Sequence, residues 1–275
     1  MGDTDLQHFV FPDPASIDAE KYRSRPVFWL GEGPGIVLMH EVFGLTSFVA
    51  DFGRQIAASG YTVFMPVMFG KPFPEGVARI VNGLGLCINR EFCLLAQRKS
   101  SPITDWLRAL SREVHVRCGG RGVGAIGLCL SGGFVLSLVI DPWVMVAVGG
   151  EPSLPFCPLR GLQKKAQATL GISPDQLQQA TARSRNEEIP VVGLRFTRDW
   201  ICPAPRFDTL KSEFGVNFHP IEFDSKRGNP YGIPTSAHSV LTEHYGELKR
   251  FISIFPDKDP RKQVIEFLDR QLKSG

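Results

Sequence analysis

The fold is decided by the stretch Val123-Gly-Ala-Ile-Gly-Leu-Cys-Leu-Ser-Gly-Gly-Phe-Val-Leu-Ser-Leu-Val-Ile140. Its first part, 123–128, is a short run of apolar and glycine residues, which is typical of a strand buried on both faces. Its second part, 130–140, is mostly apolar and is terminated by Asp141-Pro142, which indicates a buried helix. The sequence therefore predicts a buried strand that turns sharply into a buried helix at Cys129.

The same alternation of short apolar runs and longer helical patterns continues from about residue 34 onward, as in βαβ units. Strands are predicted at 35–39, 61–65, 123–128, 144–148, 189–196 and 218–223, and helices at about 47–59, 86–97, 101–118, 130–140, 173–185, 240–255 and 260–273. A mostly parallel central sheet with helices on both faces is expected. Without a repeat or a dividing linker, we expect one domain over 1–275, with a core at about 34–256, an N-terminal extension at 1–33 and a C-terminal helix at 259–273.

Composition excludes several classes of protein. The 275 residues are 43% hydrophobic and 21% charged, near the averages of globular domains. The net charge of +3, without a dense basic run, predicts no nucleic-acid partner. Asp141 and Pro142 interrupt the longest apolar stretch, so no membrane span is expected. The acidic N-terminus does not resemble a signal peptide, and the six cysteines are scattered without metal-binding spacing, which predicts a cytoplasmic protein without metal or cofactor.

The turn at Cys129 is the first candidate for chemistry. A nucleophile placed between a strand and a helix needs small residues two positions before and after it, and Gly127 and Ser131 meet that need. A helix that begins there favours the thiolate. Two alternatives stay open: Ser131 as the nucleophile, flanked by Cys129 and Gly133, or Cys129 as an inert core thiol. The predicted strand ends just before Cys129, which favours the cysteine.

A thiol nucleophile needs a base and an acid, and their order along the chain suggests which residues they are. In hydrolases of this architecture the nucleophile comes first, an acid follows a later strand, and a histidine lies in the last loop. Asp199 follows the predicted strand 189–196, and His238 lies in the loop 234–239. The rivals are Asp208 and Asp224 for the acid and His244 for the base.

The segment His40-Glu41-Val42-Phe43-Gly44 follows the first predicted core strand. The loop at this position can supply a backbone N–H to an oxyanion hole, so the N–H groups of Val42 and Leu130 are expected to face a tetrahedral intermediate. A carboxylate at Glu41 would control the protonation of a nearby thiol.

Together these motifs resemble the dienelactone hydrolase family of cysteine α/β-hydrolases, over about 35–255. The resemblance lies in Glu41-Val-Phe-Gly44, in Gly127-Leu-Cys129-Leu with Gly132, in Asp199 with Pro203, and in Ala237-His238-Ser239. It implies the α/β-hydrolase fold and the cleavage of a small-molecule ester or lactone through an acyl-cysteine. It also implies these roles: Cys129 as nucleophile, His238 as base, Asp199 as the residue that orients His238, Glu41 as the partner of the resting thiol, and Val42 and Leu130 as oxyanion-hole amides.

The chain also departs from the family pattern. Family enzymes that act on dienelactone bind its carboxylate with arginines, one of them four residues after the histidine, where this chain has Thr242. Dienelactone itself is therefore not the expected substrate. Ser239 and Arg90 are candidate substrate contacts, with Arg79 and Arg98 as further candidates. The alternative functions are a serine esterase that uses Ser131, and a non-catalytic binding protein with the same fold.

Overall fold

A computed structural model describes residues 4–16, 18–76, 78, 102–153 and 167–274. The strands are β1 (Gln7–Phe11), β2 (Arg25–Leu30), β3 (Gly35–Met39), β4 (Thr62–Pro66), β5 (Val123–Leu128), β6 (Val144–Gly150), β7 (Val191–Phe196) and β8 (Phe218–Phe223). The α-helices are α1 (Asp18–Lys21), α2 (Ser47–Ala58), α3 (Pro102–Cys118), α4 (Phe134–Leu138), α5 (Pro174–Glu187), α6 (Ala204–Phe214), α7 (Lys249–Ile254) and α8 (Pro260–Leu272). Short 3₁₀ segments lie at Cys129–Gly133, Gly215–Asn217, Tyr245–Leu248 and Pro256–Lys258.

The strands form one eight-stranded sheet in the order β1-β2-β4-β3-β5-β6-β7-β8. Strands β3 to β8 pair in parallel, while β1 and β2 join the edge as antiparallel strands. Helices cover both faces. On one face Trp106 of α3 and Phe134 of α4 belong to a buried apolar cluster, and on the other Phe52 of α2 and Leu268 of α8 belong to a second. The prediction of a mostly parallel sheet with helices on both faces is confirmed.

Several elements differ from the sequence prediction. The helix predicted at 130–140 is a 3₁₀ segment at Cys129–Gly133 followed by the short helix α4. The segment 1–33, which we placed outside the core, contributes β1 and β2 to the sheet. Helix α6 was not predicted, because its sequence opens with Pro203 and Pro205; both are compatible with a first helical turn. The helix predicted over 240–255 is α-helical only at Lys249–Ile254, because side chains elsewhere in the fold bind the backbone of 240 and 241. The helix predicted at 86–97 lies outside the described residues.

The register of the parallel strands brings four chain segments to one edge. Met39 of β3 pairs with Gly127 of β5, and Gly150 of β6 pairs with both Leu128 and Leu194. The strands β3, β5, β6 and β7 therefore end at about the same level. The residues that follow these ends include Glu41, Cys129, Glu151 and Asp199. Ligands of open parallel sheets bind outside the carboxyl ends of the strands, so this edge is where a site is expected.

Candidate active site

Cys129 occupies the sharp turn between β5 and the 3₁₀ segment Cys129–Gly133. Its φ is 53°, a left-handed conformation that is strained for a residue with a side chain. The turn is tight: a Cβ at Gly127 would lie 2.1 Å from the carbonyl oxygen of Ser131, so only glycine fits there. The predicted need for a small residue two positions before Cys129 thus has a direct steric cause. This strained turn holds the thiol at the sheet edge.

Ser131, the alternative nucleophile, is fully buried beneath this turn. Its hydroxyl accepts the N–H of Leu128 at 2.8 Å. It also lies 3.0 Å from the carbonyl oxygens of Met39, His40 and Leu128, one of which receives its proton. A hydroxyl with these partners ties the end of β3 to the end of β5, and it is not presented to a substrate.

The thiol of Cys129 contacts a serine from the loop after β6. Its Sγ lies 3.3 Å from Oγ of Ser153, and both residues are buried. The N–H of Ser153 also donates to the carbonyl oxygen of Cys129 at 2.9 Å. The backbone and the side chain of Ser153 therefore both position the turn that carries the thiol, and sequence reasoning did not single this residue out.

Asp199 and His238 form a direct hydrogen bond. Nδ1 of His238 lies 2.6 Å from Oδ2 of Asp199, whose side chain is almost completely buried. The other carboxylate oxygen, Oδ1, accepts the N–H of Ile201 at 2.9 Å. Two bonds thus fix the carboxylate in one orientation, and Asp199 holds the imidazole with Nε2 available for chemistry. The rival acids Asp208 and Asp224 are exposed.

The imidazole of His238 lies in a strongly negative environment. Burial acts to lower the pKa of His238, but the negative charge at Cys129 and the hydrogen bond to Asp199 outweigh burial and hold that pKa well above its ordinary value. Nε2 is buried and has no well-aligned hydrogen-bond partner among the described residues. The raised pKa favours the imidazolium form of His238.

The loop that carries His238 is fixed by groups from distant elements. His244, the rival base, accepts the N–H of Ser239 with its Nδ1 at 3.3 Å and so supports the loop. Arg261 of α8 donates to the carbonyl oxygen of Leu241 through Nε at 2.9 Å and Nη2 at 2.7 Å. These bonds replace the helical hydrogen bonds that the sequence pattern predicted for this segment.

Glu41 is buried at the same edge, but its partner differs from the one implied by the family resemblance. Its Oε1 accepts a hydrogen bond from the hydroxyl of Thr242, and the side chain of Ser239 also acts on the carboxyl group by lowering its pKa. Burial raises the pKa of Glu41, against the opposing effect of these side chains. The expected hydrogen bond between Glu41 and the thiol is not formed among the described residues, where the thiol contacts Ser153 instead.

The loop that presents Val42 is held by a buried histidine. Nδ1 of His40 donates to the carbonyl oxygen of Glu41 at 2.7 Å, and Nε2 accepts the N–H of Met68 at 3.1 Å. The N–H of Gly44 binds the same Glu41 carbonyl at 3.0 Å. Leu130 lies in the first turn of the 3₁₀ segment, where backbone N–H groups have no partner within the helix. The two predicted oxyanion amides thus lie on the turns that follow β3 and β5, and the turn after β3 is held by His40.

We expect His40 to make the fold sensitive to acid. Burial lowers the pKa of His40 to about 4, although the hydrogen bond to Glu41 opposes this shift. Between pH 6.5 and 4 the unfolded chain binds a proton at this residue and the folded chain does not. The contribution of His40 to stability is therefore complete above pH 6.5 and declines by roughly 3 kcal/mol as the pH falls to 4.

The measurement is the free energy of unfolding in urea at pH 7 and at pH 4.5, for the wild type and for His40→Gln. Glutamine can donate and accept at this position but does not titrate. We expect the wild type to lose more stability than the variant over this interval. Equal losses in the two proteins would show that His40 is not buried in its neutral form.

Glu151, a residue that sequence reasoning missed, follows β6 directly at the same edge. It is fully buried, and its Oε1 accepts the N–H of Val240. A recognisable signal was present: like Glu41 and Asp199, it is a carboxylate just after the end of a parallel strand. Burial raises its pKa well above the ordinary value, and the charges of Glu41 and Asp199 act in the same direction.

The remaining predicted residues can be placed briefly. Arg79, Arg90 and Arg98 lie outside the described residues, as do Cys87, Cys93 and Cys157. Ser239 is buried next to His238, and its side chain acts to lower the pKa of Glu41. Among the described helices, none is both long enough and apolar enough to cross a membrane.

Comparison with known proteins identifies a family for this chain. The family model of the dienelactone hydrolase family matches residues 22–230. A Saccharomyces cerevisiae protein named "Putative carboxymethylenebutenolidase" is 27% identical over 115 residues, which are 42% of this chain and 41% of the yeast protein. The match therefore spans less than half of that protein.

Solved structures share the fold at low sequence identity. A "Putative Dienelactone Hydrolase" from Klebsiella pneumoniae is 13% identical, with a TM-score of 0.54 over 91% of this chain and 98% of that one. An acylaminoacyl peptidase from Pyrococcus horikoshii is 15% identical, with a TM-score of 0.56 over 98% of this chain and 42% of that one. The chain has the α/β-hydrolase fold and, since the family model covers most of it, belongs to the dienelactone hydrolase family.

Proposed function

We propose that this chain hydrolyses a carboxylic ester or lactone through a covalent acyl-cysteine on Cys129. The observation that carries the proposal is the 2.6 Å bond between Asp199 and His238 at the sheet edge where the strained turn holds Cys129. Cys129 follows β5, Asp199 follows β7, and His238 lies in a later loop. This is the order along the chain that is expected of a hydrolase of this fold. The proposed reaction uses side chains and backbone amides of this chain, together with water.

The proposed reaction has two halves. Sγ of Cys129, as the thiolate paired with protonated His238, attacks the carbonyl carbon, and the oxyanion binds the N–H groups of Val42 and Leu130. The carbon–oxygen bond to the alcohol then breaks, and the proton on His238 passes to the departing alkoxide. In the second half His238 takes a proton from water, the hydroxide attacks the thioester, and the acid leaves as Cys129 becomes a thiolate again.

The substrate that the site supports best is uncharged near Glu41. At the position where family enzymes for dienelactone carry an arginine, Thr242 donates its hydroxyl proton to the Glu41 carboxyl. This pair presents no positive charge to a substrate carboxylate. We therefore favour neutral esters and lactones over the anionic dienelactone.

The test combines turnover with identification of the nucleophile. We expect the purified chain to hydrolyse p-nitrophenyl acetate and a neutral lactone, and to hydrolyse a lactone that bears a carboxylate more slowly. Iodoacetamide should inactivate the protein by alkylating Cys129, located by peptide mass spectrometry. Inactivation by a phosphonate at Ser131, with no effect of iodoacetamide, would favour the serine esterase. Neither turnover nor acylation of Cys129 would favour a non-catalytic binding protein.

A further inference from the structure

Glu151 has a strained backbone and a buried oxygen without a partner in the described part of the chain, and packing alone explains neither. Its φ is 46°, and the described residues contain only three other non-glycine residues with positive φ, of which Cys129 is one. Its side chain is completely buried, and its Oε2 has no hydrogen-bond partner among the described residues. Strained backbone and unpaired buried polar atoms both destabilise a fold, and they persist mainly where function requires them.

The contacts of Glu151 connect it to the base of the proposed reaction. Its backbone N–H donates to the carbonyl oxygen of Leu194 in β7 at 2.8 Å, which fixes the residue at the end of the sheet. Its Oε1 accepts the N–H of Val240, two residues after His238. The side chain thus links the end of β6 to the loop that carries the imidazole.

The charges around Glu151 determine its protonation. The titratable groups that interact with it are the imidazole of His238, the carboxyls of Glu41 and Asp199, and the thiol of Cys202. Among the three carboxyls only Asp199 hydrogen-bonds the imidazole. Burial acts to raise the pKa of Glu151, the charge of His238 and the hydrogen bond from Val240 act to lower it, and the charges of Glu41 and Asp199 act to raise it. The net effect holds that pKa well above its ordinary value, which favours the protonated form.

We propose that Glu151 is a positioning residue for His238, which anchors the catalytic loop by accepting the N–H of Val240. This proposal rests on the proposed hydrolase function. Glu151 acts through the loop and not on the substrate. Its protonated form supplies the acceptor that Val240 needs without adding a charge that would compete with Asp199 for the imidazole.

Two substitutions distinguish the hydrogen bond to Val240 from the ionisation of Glu151. Glu151→Gln keeps an acceptor for Val240 and cannot ionise, while Glu151→Met keeps the length of the side chain and removes the acceptor. The matched control is Glu188→Gln, because Glu188 also has a positive φ, 55°, but is exposed. We expect Glu151→Met to lower kcat about tenfold or more with KM within about twofold, and Glu151→Gln to recover most of that loss.

A second measurement does not depend on hydrolysis. The rate at which iodoacetamide alkylates Cys129, followed against pH by peptide mass spectrometry, reports how well the imidazole supports the thiolate. We expect its inflection to shift in Glu151→Met and to return toward the wild-type position in Glu151→Gln. If the wild type hydrolyses no ester or lactone, the proposed function fails, while the alkylation profiles still decide the role of Glu151.

Two results would overturn the proposal. Wild-type kcat and alkylation in Glu151→Met would show that the anchor is dispensable, and equal losses in Glu151→Gln and Glu151→Met would show that the negative charge is what matters. If Glu151→Met does not fold, stability against pH decides. Above pH 4.5 the wild type should lose free energy of unfolding more steeply than Glu151→Gln, because only the unfolded wild-type chain is then ionised at this residue. Parallel curves would rule out a protonated Glu151.

Discussion

Replacement of Cys129 by alanine is expected to lower kcat/KM for esters by about four to six orders of magnitude. The activity that remains would come from substrate binding and the oxyanion hole alone. Neither hydroxyl described near the turn is placed to replace the thiol as nucleophile: Ser131 is buried and bound to backbone groups, and the hydroxyl of Ser153 contacts the thiol itself. The fold should tolerate the change, because alanine fits the space of the thiol. The measurement is steady-state hydrolysis of p-nitrophenyl acetate, with circular dichroism to verify folding.

The matched control is Cys118→Ala. Cys118 lies beside Gly35 at the start of β3, at the other edge of the sheet, so its removal should leave turnover intact. Residual activity in Cys129→Ala within tenfold of the wild type would exclude Cys129 as the nucleophile. Such a result would return Ser131, or a residue outside the described part of the chain, to consideration.

Asp199→Asn is expected to lower kcat by about 10²- to 10⁴-fold. The reason is geometric as well as electrostatic. Because Oδ1 of Asp199 accepts the N–H of Ile201, the asparagine would keep its oxygen there and turn its NH₂ group toward Nδ1 of His238. An NH₂ donor at this position forces the proton of the neutral imidazole onto Nε2, where the base needs a lone pair. The missing charge also removes a cause of the raised pKa of His238.

The change of tautomer should affect turnover and not the binding of substrate. The variant should bind substrate with KM close to that of the wild type, and the inflection of its kcat profile should move to lower pH. Asp208→Asn, which changes an exposed carboxylate in α6, is the matched control and should behave as the wild type. A variant Asp199→Asn with normal kcat would show that the bond to His238 has no role in turnover.

Much of the sheet could be predicted because the strands at its centre are buried on both faces. Strand β5 and strand β8 have the predicted limits, and the predicted helix at 47–59 ends within one residue of α2. The elements that escaped prediction depend on tertiary contacts. Strands β1 and β2 are stabilised by pairing at the antiparallel edge, and the 240–248 segment is held by side chains from other elements.

The candidate site was predictable to the extent that it follows the carboxyl ends of strands. Cys129, Asp199 and Glu41 were found by that rule, and the structure brings all three to one edge. The partners of these residues were not predictable, because they depend on side-chain packing between segments far apart in sequence. The contact of Cys129 with Ser153 and that of Glu41 with Thr242 are examples. Glu151 obeyed the same rule and was overlooked.

Two hydrogen bonds from Arg261 to the carbonyl oxygen of Leu241 connect helix α8 to the loop that carries His238, although α8 supplies no reacting group. The same guanidinium stacks on Tyr245, with its central carbon 3.8 Å from the ring centre, and this contact also holds the Arg261 side chain in place. A substitution at Arg261 in α8 would therefore change the position of His238, because it would alter the backbone of the loop that carries this histidine. In a screen of random variants, changes at Arg261 should appear as proteins that accumulate normally but turn over poorly.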